Sequence, residues 1–338
     1  MKIAIVGAGV VGRLMAWHLC QAHEVHLFTK GGLRDLDSCS INAAGMISPY
    51  AELDLLTKHW HQAATQALTW WPKIISSLPK KVTYRSQGTL VVTSSSTRGL
   101  LSHYLNKIKQ QLPLFETKEL SSDDILQLEP ELGHVVGCHL PEAQITPKSL
   151  FESLNAYFEN QGVHFHPYHQ VENIQANRVY SDKGELKFDK VIDCRGMGAK
   201  KSIPGLRGQR GELIHCYAPQ IQLSHSIRVL HPRMPCYLVP WEAHHIAIGA
   251  TQIESESLDA VSVRSTLELL SSASSVIAQL QEASIMSLQV GVRPVMRDAQ
   301  PLIQNRENVI TINGMHRHGF LLAPYITAFV ANNWILNS

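Results

Sequence analysis

The chain has 338 residues, of which 44% are hydrophobic and 17% charged, and its formal net charge is +2. This length allows a large core and two domains, and without a dense Lys/Arg block nucleic acid is not an implied partner. We expect no apolar stretch of transmembrane length, no room for a signal peptide, and six scattered, reduced cysteines, hence a soluble, cytoplasmic protein.

The N-terminal residues predict a strand, a glycine turn and a helix. Residues 3–6 are an unbroken apolar run, typical of a strand buried on both faces of a parallel sheet. Gly7, Gly9 and Gly12 follow with GxGxxG spacing. Such glycines permit a tight turn, a close approach of backbone to a pyrophosphate, and close helix packing. Because the helix start also offers free N–H groups and a positive dipole end, the unit predicts dinucleotide binding.

The second predicted strand, residues 25–28, lacks the acidic residue that usually follows and binds the adenosine ribose. Thr29 and Lys30 stand there instead. A threonine hydroxyl bonds a ribose more weakly than a carboxylate does. Lys30 would suit a ribose phosphate, as in NADP, but the motifs described below favour a flavin. Both residues are predicted to bind the cofactor.

A polar loop is predicted after Lys30, and then a segment of small residues, 38–48, in which Ser40 or Asn42 could cap a helix. The patterns predict helices over residues 55–78, 98–111, 121–128, 150–161, 258–280 and 320–336. They predict strands over residues 84–93, 163–166, 170–174, 185–188, 208–217, 237–240, 246–250, 288–293 and 309–313. Residues 141–147 read as a loop, and residues 190–198 as the last strand of the dinucleotide-binding sheet, running into glycines.

The chain contains 18 histidines, three of which cluster in sequence. His164 and His166 alternate on a predicted strand and therefore share a face, with His169 close by. No further ligand set is spaced for a metal, and no cysteines form a CxxC pair. An exposed strand face is the favoured interpretation, so we predict no metal site.

A series of motifs extends along nearly the whole chain. It comprises GAGVVG (7–12), SINAAGMISPYAE (40–52), QGTLVV (87–92), LEPEL (128–132), RGQRGEL (207–213), CYLVP (236–240), AIGATQ (247–252), GVRPVMRDAQPLI (291–303) and NGMHRHGFLLAP (313–324). In this order and spacing they resemble the D-amino acid oxidase family of flavoproteins, most closely its glycine oxidases of the thiamine-biosynthetic type.

The resemblance implies non-covalently bound FAD and an α/β (mixed α+β) fold, in which a doubly wound GxGxxG domain is interleaved with a mixed-sheet substrate domain. FAD-binding segments would be residues 1–78, 147–206 and 290–338, and substrate-domain segments 79–146 and 207–289. The implied cofactor-binding residues are Gly7, Gly9, Val10, Val11, Gly12, Thr29, Lys30, Ser40, Ala43, Ala44, Gly45, Met46, Val171, Gly196, Gly314, Arg317, Gly319, Phe320 and Leu321. Among these, residues 43–46 would lie against the isoalloxazine, the backbone of Val171 would meet the adenine, and the segment from Gly314 would close over the pyrimidine edge of the flavin.

Two residues match the position of a substrate carboxylate clamp, Arg293 and Tyr237. An arginine fork pairs with a carboxylate through two bonds, and a tyrosine hydroxyl adds a further hydrogen bond. The open alternatives are an arginine that holds two domains together and a core tyrosine with a satisfied hydroxyl.

The sequence departs from the family pattern in the substrate pocket. Gln252 replaces an apolar methionine and predicts a more polar pocket, and His316 and His318 flank Arg317 where an aromatic residue and an asparagine are usual. Either histidine could titrate near neutral pH.

The predicted activity is FAD-dependent oxidation of glycine or another small amino acid, with oxygen as acceptor and with no general base assigned. One alternative is a dehydrogenase for D-amino acids, sarcosine or proline that uses a quinone or protein acceptor. Another is a flavoprotein that acts on or with a protein partner. Homo-oligomers are common in such enzymes, but no stretch of this sequence marks an interface.

Overall fold

The computed structural model describes residues 1–32, 38–242 and 244–336, so the loop predicted after Lys30 lies partly outside the described residues. In chain order the strands are β1 Lys2–Val6, β2 Glu24–Phe28, β3 Met46–Ile47, β4 Tyr84–Arg85, β5 Thr89–Ser94, β6 Val135–Leu140, β7 Ala143–Ile145, β8 His164–His166, β9 Val171–Gln175, β10 Arg178–Ser181, β11 Gly184–Lys187, β12 Lys190–Asp193, β13 Arg207–Tyr217, β14 Ser226–Val229, β15 Cys236–Pro240, β16 His245–Gly249, β17 Ser284–Val295, β18 Leu302–Arg306 and β19 Val309–Asn313. The α-helices are α1 Val10–Leu19, α2 His61–Ser76, α3 Arg98–Gln111, α4 Ser122–Leu128, α5 Pro147–Asn160, α6 Val263–Ser274 and α7 Gly319–Ala331.

A six-stranded sheet in the order β18-β19-β12-β1-β2-β8 carries the glycine turn. All of its neighbouring pairs are parallel except β18–β19. Strand β1 lies between β12 and β2, and four of its five residues are buried, which explains its unbroken apolar run. The prediction that residues 190–198 form the last strand was wrong, because β19 and β18 lie beyond β12.

Helix α7 packs against α1 and α2, on the apolar core below the six-stranded sheet. Together with the following π-helical turn it forms an 18-residue segment, Gly319–Leu336, long and apolar enough to cross a membrane by length and composition. The expectation that no stretch reaches this length was therefore wrong. Inside the fold, 61% of the segment is buried, and an internal core helix has the same composition.

A seven-stranded mixed sheet, in the order β17-β13-β16-β15-β14-β5-β6, forms the second layer system. Its strands come from between the strands of the first sheet, which confirms the interleaved α/β architecture. Strand β17 runs across the predicted boundary at residue 289, and the domain boundaries stay predictions. A third, small sheet has the strand order β3-β7-β4. Because β7 is Ala143–Ile145, the predicted loop over residues 141–147 contains a strand.

Several local predictions need correction. Residues 38–48 form turns and the short strand β3, with no helix in that segment. The predicted helix over residues 55–78 begins only at His61, and that over 258–280 is limited to Val263–Ser274, followed by a 3-10 turn. Strands β6, β10, β14 and β18 were not predicted. Each has only four to six residues, too few to give a clear periodic signal.

Candidate active site

A cavity opens at the carboxyl ends of parallel strands β1, β2, β12 and β19. Its wall includes Val6, Phe28, Cys194 and Asn313, the residues at or just after those ends. Strand β17 of the other sheet reaches the same cavity through residues 290–294. Ligands of open α/β sheets bind at this edge. The cavity is therefore the candidate site for a cofactor and a substrate.

The glycine turn lies on one side of the cavity. Gly7 has a φ of +107°, and a Cβ on Gly12 would stand 1.8 Å from the Gly7 carbonyl oxygen. Both positions therefore require glycine, one for its backbone conformation and one for close helix packing. The Ser40 hydroxyl accepts a hydrogen bond from the Val10 backbone N–H at 3.1 Å. Ser40 thus caps α1 across space and does not start a helix of its own.

The cavity wall is cationic. Among the described residues it contains the side chains of Arg13, Lys30, Arg195, Arg293 and Arg317 and no carboxylate, although Asp193 and Glu52, just outside the lining, pair with Arg195 and Arg317. This charge and the N-terminus of α1 favour an anionic ligand such as a pyrophosphate.

Arg13 follows the glycine motif directly and was not predicted as a site residue. It is 4% exposed, donates through Nε to the Ala8 carbonyl at 2.8 Å, and lies over the Phe151 ring at 4.4 Å. Burial lowers its pKa to about 10. The bond to Ala8 braces the phosphate turn. Because no described carboxylate pairs with Arg13, its positive charge beside the turn is not neutralised by an ion pair. An arginine within the otherwise apolar run VVGRLMAWHL was the available signal.

Most of the predicted cofactor residues line the cavity, namely Gly7, Gly9, Val10, Val11, Thr29, Lys30, Ser40, Ala43, Val171, Gly196, Gly314, Arg317, Gly319 and Phe320. Within the described part of the chain, the lining does not include Gly12, Ala44, Gly45, Met46 or Leu321. Ala44 and Met46 pack in an apolar cluster with Leu213 and Tyr237, and Leu321 lies in the main core. The contacts of these residues with a flavin stay predictions.

The end of the cavity that is predicted to receive the ribose is formed by Thr29 and Lys30, together with His169 and Gln170. The Thr29 backbone pairs with the strand that carries the histidines, accepting a hydrogen bond from His169 N–H at 3.0 Å. His169 and Gln170 were not predicted as cavity residues. Their position follows from the pairing of β2 with β8, which local sequence does not reveal.

Arg293 extends from β17 into the cavity wall over Gly211, where a Cβ would meet its guanidinium at 2.2 Å. Its Nη1 donates to the Thr251 carbonyl at 3.1 Å, and no described carboxylate pairs with it. Burial, with repulsion from Arg317, lowers the pKa of Arg293 to about 10. A half-buried arginine with donors left over can bind a carboxylate.

Tyr237 is buried beside the cavity and its hydroxyl donates to Glu52 Oε1 at 2.6 Å. Glu52 also pairs with Arg317, whose Nη2 donates to Oε1 at 2.8 Å. Burial opposes ionisation of Glu52, but Arg317 and Arg228 outweigh it and hold its pKa at about 2. Since the only hydroxyl hydrogen of Tyr237 is used in the bond to Glu52, the phenol oxygen can act toward other groups only as an acceptor. This arrangement does not support a bond donated by Tyr237 to a substrate carboxylate.

The remaining predicted pocket residues, His316 and Gln252, differ in their outcome. His316 lines the cavity, with its Nε2 2.6 Å from Gln209 Oε1. Burial and the neighbouring His318 lower its pKa to about 3, and burial also lowers that of His318. For His316 this contradicts the expectation of titration near neutral pH. Gln252 is exposed and is not brought into the described cavity wall.

The residues present fit the adenosine diphosphate half of FAD. The turn places backbone N–H groups where a pyrophosphate could lie, and Arg13 supplies a buried positive charge without a described counter-ion. The strand-end cavity thus defines a class of enzyme that binds an anionic dinucleotide cofactor between two sheets.

Comparison with known proteins gives the family. Residues 2–332 match the DAO family, described as FAD dependent oxidoreductase. A Rhizobium etli protein provisionally named thiamine biosynthesis oxidoreductase ThiO is 30% identical, covering 98% of this chain and 95% of its own. The crystal structure of glycine oxidase from Geobacillus kaustophilus has a TM-score of 0.85 at 21% identity, over 98% and 93% of the two chains. That of L-alpha-glycerophosphate oxidase from Mycoplasma pneumoniae, with FAD bound, gives 0.81 at 18%, over 98% and 94%. The chain therefore belongs to the DAO family of FAD-dependent oxidoreductases, and FAD is its cofactor.

Proposed function

We propose that this oxidoreductase converts glycine or another small amino acid to the imino acid, which water then hydrolyses to the oxo acid with release of ammonia or an amine. When bound, FAD supplies the hydride acceptor and passes the electrons to oxygen, giving hydrogen peroxide. The observation that carries the proposal is Arg293, a half-buried guanidinium in the cavity wall without a described carboxylate partner. The relatives named as glycine oxidases and as a thiamine biosynthesis oxidoreductase support the choice of a small amino acid.

In this proposal Arg293 binds and orients the substrate carboxylate. A bidentate pair fixes two atoms of the substrate and so limits its rotation in the site. Tyr237 donates its hydroxyl hydrogen to Glu52 and lies outside the described cavity lining, so the proposed carboxylate contact is assigned to Arg293 alone. A neutral amine needs no proton removed, so no general base is assigned.

The neighbouring His316 fits this assignment. With a pKa of about 3 it is neutral at physiological pH and adds no charge to the cavity wall. The positive field at the substrate carboxylate therefore comes from the arginines alone.

We place the protein in the cytoplasm, because its six cysteines are free.

The test is anaerobic reduction of the purified holoenzyme by glycine, sarcosine, D-alanine and D-proline in turn. We expect the yellow protein to bleach with glycine or sarcosine and to recover in air with formation of peroxide. Bleaching without rapid recovery would favour a quinone or protein as acceptor. A protein that keeps its colour with every one of these substrates would overturn the small amino acid as substrate.

The carboxylate role of Arg293 is tested separately by Arg293→Ala. Removing one partner of a buried charge pair costs about 2–5 kcal/mol, so kcat/KM should fall by about 30-fold or more while FAD remains bound. The matched control is Arg264→Ala, whose side chain is 83% exposed on α6. Unchanged kcat/KM for every amino acid tested with Arg293→Ala would remove Arg293 from the site.

A further inference from the structure

A group of histidines lies at the edge of the six-stranded sheet, outside the described cavity lining. Glu24 and His26 are two residues apart on β2, so both point to the same face of the sheet. Strand β8 pairs with β2 in parallel, with His26 opposite His164 and Phe28 opposite His166. Two neighbouring strands thus bring a carboxylate and three imidazoles together on one face.

The distances within this group fit a metal coordination sphere. His26 Nε2 and Glu24 Oε1 are 2.9 Å apart, and one ligand atom from each of Glu24, His26 and His164 lies within 4.8 Å of the others. Bonds of about 2.0–2.2 Å at a tetrahedral angle separate two donor atoms by about 3.3 Å. The first pair is already near that spacing. His164 is exposed, so rotation of its side chain can bring its ring nitrogen closer.

His166 holds the buried member of the group in place. Its Nε2 lies 2.8 Å from His26 Nδ1. A bond donated from Nδ1–H of His26 to His166 fixes the ring and leaves Nε2 as the ligand atom. Metal-binding histidines commonly have such a partner on the nitrogen that does not bind the metal. His26 itself is 8% exposed and packs against Phe188, so its ring is not mobile.

We propose that Glu24, His26 and His164 bind one divalent cation of the Zn²⁺ class, with His166 as a positioning residue and water completing the coordination. Two imidazoles and one carboxylate are ligands that suit zinc better than magnesium, which prefers oxygen. The cation would join the edge strand β8 to β2. The site shares no residue with the described cavity wall and does not depend on the proposed substrate.

The experiment is calorimetric titration of the EDTA-treated, dialysed holoenzyme with Zn²⁺ and, separately, with Mg²⁺. We expect one equivalent of Zn²⁺ to bind, at least 100-fold more tightly than Mg²⁺, and to raise the melting temperature of the protein by mass action. His164→Ala and Glu24→Gln change exposed side chains and should each abolish this event. His166→Ala should weaken binding by about 10- to 100-fold, as expected for a residue that orients a ligand.

The matched control is His103→Ala, which removes an exposed histidine on α3 and should leave Zn²⁺ binding unchanged. Visible absorbance of the flavin and circular dichroism check that every variant is folded. If Zn²⁺ binds the wild type, His164→Ala and Glu24→Gln with the same stoichiometry and affinity, the site lies elsewhere and the proposal is refuted. Absence of a binding event in the wild type refutes it equally.

Discussion

Glu52 makes a measurable contribution to stability that can be isolated with one substitution, Glu52→Gln. The side chain is 6% exposed, and it receives bonds from Tyr237 and Arg317. Glutamine keeps the shape but removes the charge, so it resembles the protonated acid. The variant should therefore have the stability that the wild type reaches only when Glu52 is protonated.

The magnitude follows from the pKa of Glu52, which is lowered from 4.5 to about 2. A difference of about 2.5 units at 1.36 kcal/mol each gives about 3 kcal/mol. Because the folded-state pKa is the lower one, this stabilisation is fully present above pH 4.5. It is lost as the pH falls from 4.5 through 2. The gap between wild type and Glu52→Gln should therefore be about 3 kcal/mol at pH 7 and shrink below pH 4.5.

The assay is urea unfolding of both proteins, saturated with FAD, at a series of pH values from 7 to 3. The control is Glu185→Gln, which breaks the surface pair with Arg178, whose side chains are 35% and 43% exposed. That pair should contribute below about 1 kcal/mol. A gap for Glu52→Gln that stays constant down to pH 3, or that does not exceed the control at pH 7, would show that the buried ion pair does not act as described.

Three further outcomes are expected. Gly12→Ala places a Cβ 1.8 Å from the Gly7 carbonyl oxygen and should cost more than about 3 kcal/mol of stability. It should also deplete bound FAD, measured by the ratio of flavin to protein absorbance. The control Gly99→Ala, with open space around it, should raise stability by about 0.5–1 kcal/mol. Burial raises the pKa of Glu142 to about 7, so the wild type loses stability as the pH rises from 4.5 to 7.5. The stability of Glu142→Gln relative to wild type should therefore increase by up to about 3 kcal/mol over this range, and a flat difference would contradict this. Since the pKa of His316 is about 3, His316→Asn should leave the shape of the kcat/KM profile between pH 5.5 and 8 unchanged, and loss of a step near pH 6.5 would refute that value.

The parts of this structure that sequence predicted are those whose cause is local. The strand, turn and helix of residues 2–19 are specified by an apolar run and by glycines at fixed spacing, and both are present in the fold. The motif series likewise identified the family and its cofactor. Such signals require no knowledge of which distant segments meet.

The parts that sequence did not predict depend on distant pairing. The partner of Tyr237, Glu52, is 185 residues away, and that of Val10, Ser40, comes from a different segment. The approach of His164 to Glu24 on β2, 140 residues earlier, likewise follows from strand pairing. Propensity and periodicity describe a strand, but not its neighbours or register.

The order of strands in the six-stranded sheet has a consequence for how the chain folds as it is synthesised. Strand β1 is translated first, yet its neighbour β12 is made almost 190 residues later, and β19 and α7 follow only after residue 308. Until then α1 lacks the helix that covers it, and the phosphate turn lacks the carbonyl of Cys194 behind it. Non-local pairing of this kind delays folding and leaves apolar surface exposed meanwhile. A ribosome-bound chain thus has no closed nucleotide site until residues 309–331 have been made, and flavin capture follows their synthesis.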